Sequence, residues 1–269
     1  MTSIKKRLLR TAALCLLVLL TLASLGGCSA SGNRSEYVSD TQSEEGTREP
    51  QAPQPKRPRV ALTFDDGPHN VRTKLIVDEL NKYGYHATFF VVGNRVDGTE
   101  YRGGDAMVYA AQNGNEIGIH GYTHEMSVKY SSCSDERYEY EISNTVRAIL
   151  EKLPDYEIRL MRPIGGAISE QRVRESPYAI INWSVDTLDY TFRSPEGDTE
   201  QIDAIVQNAL ADVSDGDIIL MHDIYNNTYE ATVIILARLH EMGFDVVTVS
   251  ELLGEELSAG VRYTRGKKN

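Results

Sequence analysis

The fold of this chain is indicated first by residues 60–68, which read Val60-Ala61-Leu62-Thr63-Phe64-Asp65-Asp66-Gly67-Pro68. The first five residues are apolar or β-branched, which is typical of a short strand buried in a sheet. Two aspartates follow, and Gly67-Pro68 ends the strand. One interpretation is that the aspartates cap a turn. The other is that they are functional groups at the carboxyl end of a parallel strand, where α/β folds place their active sites.

Short apolar runs of this kind alternate with segments of helical periodicity over residues 59–253. Strands are predicted at Val60–Phe64, Thr88–Val92, Glu116–Ile119, Ile158–Met161, Ala179–Trp183, Asp217–Leu220 and Asp245–Val249. Helices are predicted at Val71–Tyr83 after the cap Asn70, and at Asp105–Gln112, Asp135–Lys152, Glu200–Asp212 and Asn227–Met242. Such alternation predicts parallel strands joined by helical crossovers. We therefore expect an α/β fold whose seven strands favour a (β/α) barrel over an open doubly wound sheet, although periodicity does not separate the two.

The composition is that of one globular domain with appendages. The chain has 269 residues, 41% of them hydrophobic and 25% charged, and a formal net charge of −11. The acidic balance argues against a nucleic-acid-binding protein, whose contact surface is basic. The cysteines, Cys15, Cys28 and Cys133, are too far apart to indicate a disulfide framework or a cysteine zinc site. Any metal ion is therefore expected on histidine and carboxylate side chains.

The N-terminus has the composition of a secretion signal. Basic residues within the first ten positions precede an apolar stretch from Ala12 to Leu25. This stretch is short for a membrane-spanning helix, which needs about 20 apolar residues. It ends in Leu25-Gly26-Gly27-Cys28, which resembles a bacterial lipobox, so residues 1–27 are predicted to be a signal peptide and Cys28 to be lipidated. An uncleaved anchor helix is the alternative, and both place the domain outside the cytoplasm at the cell membrane.

Two segments flank the predicted domain at residues 59–253. Residues 28–58 contain almost no aliphatic side chains and close with prolines, so we expect a disordered tether. Residues 254–269 are rich in charge and end in Arg265-Gly266-Lys267-Lys268-Asn269, so we expect a flexible tail there.

Polar side chains follow five of the predicted strands. In chain order they are Asp65 and Asp66, His120 and His124, Arg162, Asp186 and Asp189, and His222 and Asp223. Because the carboxyl ends of parallel strands meet at one face, we expect these side chains to lie together. His120 and His124, four residues apart, can reach one cation, and Asp66 adds a carboxylate. Two nitrogens and one oxygen leave coordination positions open, as in catalytic metal sites.

Most of these residues also have a structural interpretation. Two histidines at this spacing are common without a metal, and His222 could be a histidine whose hydrogen bonds are satisfied at a strand end. Arg162 and Asp189 could be a structural ion pair beneath the rim of a barrel. The convergence of five segments on one face favours the catalytic interpretation.

Five ordered segments resemble the motifs of the polysaccharide deacetylase family, also called the NodB homology domain or carbohydrate esterase family 4. They are Thr63–Pro68, His120–His124, Arg162–Gly166, Asp186–Tyr190 and Ile219–Asp223. The resemblance covers residues 60–253, and five motifs in order are far more specific than any one of them. It implies a distorted (β/α) barrel that removes N-acetyl groups from a polysaccharide.

The resemblance also implies the metal site and the substrate groove. A divalent metal ion, expected to be zinc, would bind Asp66, His120 and His124. The backbone N–H of Gly165 would contact the oxyanion, and Tyr190 would line the groove.

The acid and base follow from the same resemblance. Asp65 would be the general base, supported by Arg162, and His222 the general acid, supported by Asp189. The charges agree with these roles, because a guanidinium keeps a neighbouring carboxylate ionised and a carboxylate favours a protonated imidazole.

The motifs depart from the family pattern at three places. Gly121 stands where the family usually has serine or threonine, which would loosen the hold on the metal histidines. Ile164 and Gly165 replace a proline and a tyrosine and so reshape the groove wall. Tyr190 replaces a tryptophan and keeps an aromatic surface. None of these changes removes a reacting group, so we expect activity, while the preferred substrate stays open.

The sequence therefore predicts a lipid-anchored, metal-dependent deacetylase of N-acetylated cell-envelope polysaccharide, peptidoglycan foremost, acting as a monomer. Two alternatives stay open, because fold does not decide function. One is a glycan-binding lipoprotein that has lost turnover, against which the retained Asp65 and His222 argue. The other is an amidohydrolase of a small non-sugar amide, which an enclosed pocket would favour.

Overall fold

The computed structural model describes residues 56–98, 102–194 and 197–267. The predicted signal peptide, Cys28 and most of the predicted tether lie outside these described residues. The strands are β1 (Arg59–Asp65), β2 (Thr88–Val91), β3 (Glu116–Ile119), β4 (Leu160–Met161), β5 (Ala179–Ile181), β6 (Val185–Asp186), β7 (Ile218–His222), β8 (Asp245–Val246) and β9 (Arg262–Tyr263).

These strands form one parallel sheet in the order β6-β7-β1-β2-β3-β4-β5-β9, with β8 paired to the start of β1. In the centre, Thr63 of β1 lies opposite Thr88 of β2 and Leu220 of β7. The sheet curls, because the chain after β9 reaches the beginning of β7, where the Gly266 N–H donates to the Gly216 carbonyl at 2.7 Å. The predicted distorted (β/α) barrel is confirmed.

Helices connect the strands. They are α1 (Arg72–Tyr83), α2 (Gly93–Asp97), α3 (Gly104–Gln112), α4 (Asp135–Lys152), α5 (Glu170–Glu175), α6 (Thr199–Leu210), α7 (Asn226–Glu241) and α8 (Val249–Leu253). The five predicted helices are present, whereas α2, α5 and α8 are too short for helical periodicity to show in the sequence. Within the described ranges, no helix has both the length and the apolar character to cross a membrane.

The start of α1 differs from the prediction. Asn70 does not cap the helix; instead Nδ1 of His69 accepts hydrogen bonds from the N–H groups of Val71 and Arg72, both at 3.2 Å. The His69 N–H in turn donates to Oγ1 of Thr73 at 2.8 Å. The turn that follows the two aspartates is therefore fixed by a histidine, which is not among the usual capping residues.

The sheet and the C-terminus also differ from the prediction. The predicted strand Ala179–Trp183 is shorter, as β5, and is followed by β6, which was not predicted. The predicted flexible tail contains β9, which pairs with β5. Nε of Arg265 donates to Oδ1 of the buried Asp217 at 2.8 Å. The charged composition suggested a solvated tail, but backbone hydrogen bonding to an open sheet edge leaves no mark on composition.

Strand alternation decides which side chains reach the site. Val60, Leu62 and Phe64 of β1 belong to the main apolar core, where Phe64 stacks on Phe89 with ring centroids 5.1 Å apart. Fully burying each such side chain is worth about 1.5–3 kcal/mol. Because side chains alternate along a strand, Thr63 and Asp65 face the opposite side of the sheet. The same alternation in β7 buries its odd-numbered side chains in this core and leaves His222 on the side of Asp65.

Candidate active site

The two aspartates after β1 have different partners. Asp65 is the last residue of the strand, and its side chain is only 4% exposed. Asp66 has a φ of 69°, a left-handed conformation that is uncommon outside glycine. The chain turns there, and Asp65 pairs with Arg162 whereas Asp66 contacts His124.

Asp66 lies with the two histidines that follow β3, as predicted. Its Oδ1 atom is 2.7 Å from Nε2 of His124 and 3.4 Å from Nε2 of His120. One ligand atom from each of the three residues lies within 4.8 Å of the others. His120 is buried, while the side chain of His124 is 24% exposed, so the group is reached from one side.

The hydrogen bonding of this group fits a divalent cation. Nδ1 of His120 donates to the carbonyl oxygen of Arg162 at 2.8 Å, which directs Nε2 toward the carboxylates. Asp66 Oδ1 is buried, and no donor among the described residues meets it with hydrogen-bond geometry. Two imidazole nitrogens and an unsatisfied carboxylate oxygen could hold such an ion and leave coordination positions open for water and substrate.

Charge in the group favours a cation as well. Burial raises the pKa of Asp66, but its contacts with His120 and His124 outweigh burial and hold that pKa well below the usual value. Burial lowers the pKa of His120, yet the carboxylates of Asp65 and Asp66 raise it more. A proton and a metal ion therefore compete for Nε2 of His120.

Asp65 is held by the buried Arg162. Nη1 of Arg162 donates to Oδ1 of Asp65 and to Oγ1 of Thr63, both at 2.8 Å. Nε and Nη2 donate to the carbonyls of Ile181 and Asn182, at 3.1 and 3.0 Å. Since the guanidinium engages only Oδ1, the second carboxylate oxygen, Oδ2, is left facing His120 Nε2 at 3.6 Å.

His222 is held by Asp189 in the same manner. Nδ1 of His222 lies 2.7 Å from Oδ1 of the buried Asp189, and the His222 N–H donates to Oδ2 at 2.7 Å. Oγ1 of Thr228 donates to Oδ2 as well, at 2.6 Å. Burial lowers the pKa of His222, but Asp189 raises it more, to about 9, with help from Asp65 and Asp66. The imidazole is therefore protonated near neutral pH.

These residues line a cavity of about 510 Å³. The cavity is lined by the three predicted metal ligands and also by Asp65, His222, Gly165 and Tyr190. Arg162 and Asp189 are buried behind this lining. The ring of Tyr190 meets that of His222 edge-on, with centroids 5.5 Å apart. Gly165 has a φ of 61°, and open space lies where its side chain would be.

Sequence reasoning missed several lining residues, including Trp183 and Tyr225. Trp183, the single tryptophan of the chain, ends a predicted strand, and Tyr225 follows His222 closely; both positions were signals that could have been used. Of the two strand-end aspartates without an assigned role, Asp186 lines the cavity, whereas Asp223 is buried and accepts a hydrogen bond from Thr73.

Comparison with known proteins indicates the family of this chain. The family described as Polysaccharide deacetylase matches residues 52–180. The peptidoglycan-N-acetylglucosamine deacetylase PgdA of Listeria monocytogenes is 34% identical over 215 residues, covering 80% of this chain and 43% of that protein. A peptidoglycan-N-acetylglucosamine deacetylase of Bacillus cereus is 34% identical over 200 residues, covering 72% of this chain and 87% of that protein.

The peptidoglycan-N-acetylmuramic acid deacetylase PdaC of Bacillus subtilis is 33% identical over 198 residues, covering 74% of this chain and 39% of that protein. The solved structure of PdaC matches with a TM-score of 0.63 at 32% identity, covering 74% of this chain and 91% of the solved chain. This chain thus spans about two fifths of the length of PgdA and PdaC. It matches nearly the whole Bacillus cereus protein at 34% identity, and the site residues of all five motifs meet at one end of the barrel, so the chain belongs to the polysaccharide deacetylase family.

Proposed function

We propose that this chain is a divalent-metal-dependent hydrolase that removes N-acetyl groups from cell-envelope polysaccharide, with peptidoglycan as its substrate. One observation carries the proposal: a carboxylate paired with a guanidinium and an imidazole paired with a carboxylate line the same cavity as the three potential ligands. Such opposite environments separate a base from an acid. The names of the relatives support peptidoglycan as the polymer.

The cation would be held by Asp66, His120 and His124. We propose zinc, because this donor set is common in catalytic zinc sites. When bound, the ion would supply Lewis-acid polarisation of the acetyl carbonyl.

Asp65 would act as the general base. Arg162 occupies Oδ1, so Oδ2 is the oxygen that accepts the proton of the attacking water. The buried guanidinium of Arg162 holds the carboxylate of Asp65 in place and balances its negative charge.

His222 would act as the general acid. Asp189 fixes Nδ1, so Nε2 is the atom that can donate a proton. As the C–N bond of the acetamide breaks, this proton goes to the sugar nitrogen, and the products are acetate and a free amine. The raised pKa of His222, about 9, keeps that proton available at neutral pH.

The cavity wall would position the sugar. We propose that the Gly165 N–H faces the developing oxyanion and that Tyr190 and Trp183 pack against sugar rings. Both proton-transfer pairs are intact, which supports an enzyme over a glycan-binding protein without turnover.

The experiment that tests the proposed function is acetate release from purified N-acetylated peptidoglycan. We expect release by the zinc-loaded protein, loss of release after chelation and recovery when zinc is returned. A soluble chitin oligomer and a small N-acetylated amine serve as comparison substrates. Release from the small amine alone would support the amidohydrolase alternative. No release from any of them, while a known deacetylase acts on the same preparations, would overturn the proposal.

We also propose that the protein is extracytoplasmic and anchored to the membrane through lipidated Cys28, as a monomer. The lipobox-like ending at Cys28 supports this anchor. Mass analysis of the protein purified from its native membrane should show an N-terminal acylated Cys28. An intact N-terminus with an unmodified cysteine would refute the anchor.

A further inference from the structure

A buried carboxylate outside the five motifs contacts the loop between the two proposed metal histidines. Glu141 lies in the middle of α4 and is fully buried. Its Oε2 atom accepts hydrogen bonds from the N–H groups of Tyr122 and Thr123, at 2.7 and 2.9 Å. Its Oε1 atom accepts from Oγ1 of Thr123 at 2.6 Å. One side chain thus satisfies three donors of a loop that begins and ends with a proposed ligand.

The carbonyl side of the same loop is fixed as well. The N–H groups of Gly93 and Asn94, at the start of α2, donate to the carbonyls of Gly121 and Tyr122, at 2.9 and 3.0 Å. The loop is therefore held between α2 and the carboxylate on α4. The N–H groups and the carbonyl groups of the loop backbone are both hydrogen-bonded. Loss of the hydrogen bonds to either set should therefore let the loop shift.

The conformation of the loop makes this hold necessary. Gly121 has a φ of 90° and His124 a φ of 56°, both in the left-handed region. A Cβ atom on Gly121 would lie 2.3 Å from the hydroxyl oxygen of Tyr130 and 3.3 Å from Oε2 of Glu141. A side chain at position 121 therefore has no room to fix the loop, and the fixing group comes from α4 instead.

The negative charge of Glu141 is balanced by Arg137, which contacts one of its two carboxylate oxygens. Nη2 of Arg137, one turn earlier on α4, lies 2.7 Å from Oε1 of Glu141 and 3.1 Å from Oε1 of the half-exposed Glu125. Arg137 also donates to Oγ1 of Thr123 at 2.9 Å. The carboxylate is therefore both paired and directed at the loop.

We propose that Glu141 is a positioning residue that sets the affinity of the metal site by holding the loop between His120 and His124. The proposal rests on the proposed function, because it assumes that these histidines bind a cation. Glu141 itself contacts neither the ion nor the substrate. Its effect is expected in metal affinity, because groups that orient metal ligands typically change affinity by about 10–100-fold.

The test measures zinc affinity directly, by competition with a chromogenic chelator. Glu141→Gln keeps the size of the side chain but turns one acceptor toward Arg137 and Thr123 into a donor. We expect its zinc dissociation constant to rise by about 10–100-fold.

The control is Glu125→Gln, which removes a second carboxylate partner of Arg137 but leaves every hydrogen bond between Glu141 and the loop in place, including that from the Thr123 hydroxyl. Its zinc affinity should change less than about twofold, as expected for an exposed ion pair. The visible spectrum of the cobalt-substituted protein adds a readout of ligand geometry, and it should change in the Glu141 variant and not in the control.

A second variant guards against misfolding of the first. Thr123→Val preserves the Glu141–Arg137 pair and removes the hydroxyl contact with the carboxylate, so it should fold and weaken zinc binding by severalfold. If Glu141→Gln and Thr123→Val both had the zinc affinity and the cobalt spectrum of the parent, the proposed role of Glu141 would be overturned. The proposed metal site would not be affected by that result. A parent protein that binds no divalent ion would overturn the metal site and this inference together.

Discussion

Nδ1 of His222 lies 2.7 Å from Oδ1 of Asp189, and the other oxygen of that carboxylate accepts the backbone N–H of the same histidine. Because two points of His222 are fixed by one buried carboxylate, the ring keeps one orientation in the cavity. The contact also raises the pKa of His222 to about 9. Orientation and protonation of the proposed acid therefore depend on one residue.

The first prediction concerns that pKa. Asp189→Asn removes the negative charge beside the imidazole, so the pKa of His222 should fall by at least about one pH unit. NMR titration of the metal-free protein measures it, with the parent titrating near pH 9. The alkaline limb of the activity profile should move to lower pH in the variant, since deprotonation removes the acid. An unchanged titration would show that Asp189 does not support the charge.

The same shift predicts a pH dependence of stability. The folded pKa of His222, about 9, is above the usual value of 6.5, so protonation stabilises the folded state. This contribution, about 3 kcal/mol, is complete below pH 6.5 and is lost as the pH rises to 9. The free energy of unfolding is measured in urea at several pH values for the metal-free parent and for His222→Phe. Only the parent should lose this contribution between pH 6.5 and 9. Parallel curves would contradict the prediction.

Removal of Arg162 should destabilise the fold. Arg162→Leu leaves the carboxylate of Asp65 buried without its partner, which costs about 3–5 kcal/mol in the free energy of unfolding. Arg238→Leu is the control, because Arg238 pairs with Glu241 on an exposed helix surface and should matter by less than about 1 kcal/mol. Urea unfolding curves measure both. Equal effects would mean that the buried pair contributes no more than a surface pair.

Sequence reasoning identified the site residues because parallel strands bring their carboxyl ends together. Asp65 and His222 follow the predicted strands Val60–Phe64 and Asp217–Leu220, so the strand-end rule alone placed both at one end of the sheet. Asp65 and Asp66 have different partners because the backbone at Asp66 is left-handed. No sequence pattern indicates that conformation at an aspartate.

Other features were hidden because they depend on distant contacts. Glu141 belongs to a helix that was predicted within its correct bounds, but only packing directs its carboxylate to a loop 18 residues earlier. Likewise, the strand Arg262–Tyr263 forms because β5 offers an open edge, which composition does not reveal.

Metal removal should leave the domain folded. The three proposed ligands occupy the rim of a barrel whose apolar core does not include them, so chelation should abolish zinc binding but preserve the far-ultraviolet circular dichroism spectrum. Zinc at 100 times its dissociation constant adds about 2.7 kcal/mol of stability. His124→Ala should fold and lose this zinc-dependent stabilisation. Retention of full metal content in that variant would exclude His124 as a ligand.

The central claim is that Asp65 acts as a base beside a cation held by other residues, and it is tested by measuring zinc content and acetate release on the same samples of Asp65→Asn. General base catalysis contributes about 10²–10⁴ in rate, so the variant should keep one zinc per chain and lose that factor in turnover. Asp186→Asn, which changes another carboxylate of the same cavity, should lose far less. Undiminished acetate release by Asp65→Asn, or loss of zinc from it, would contradict the account.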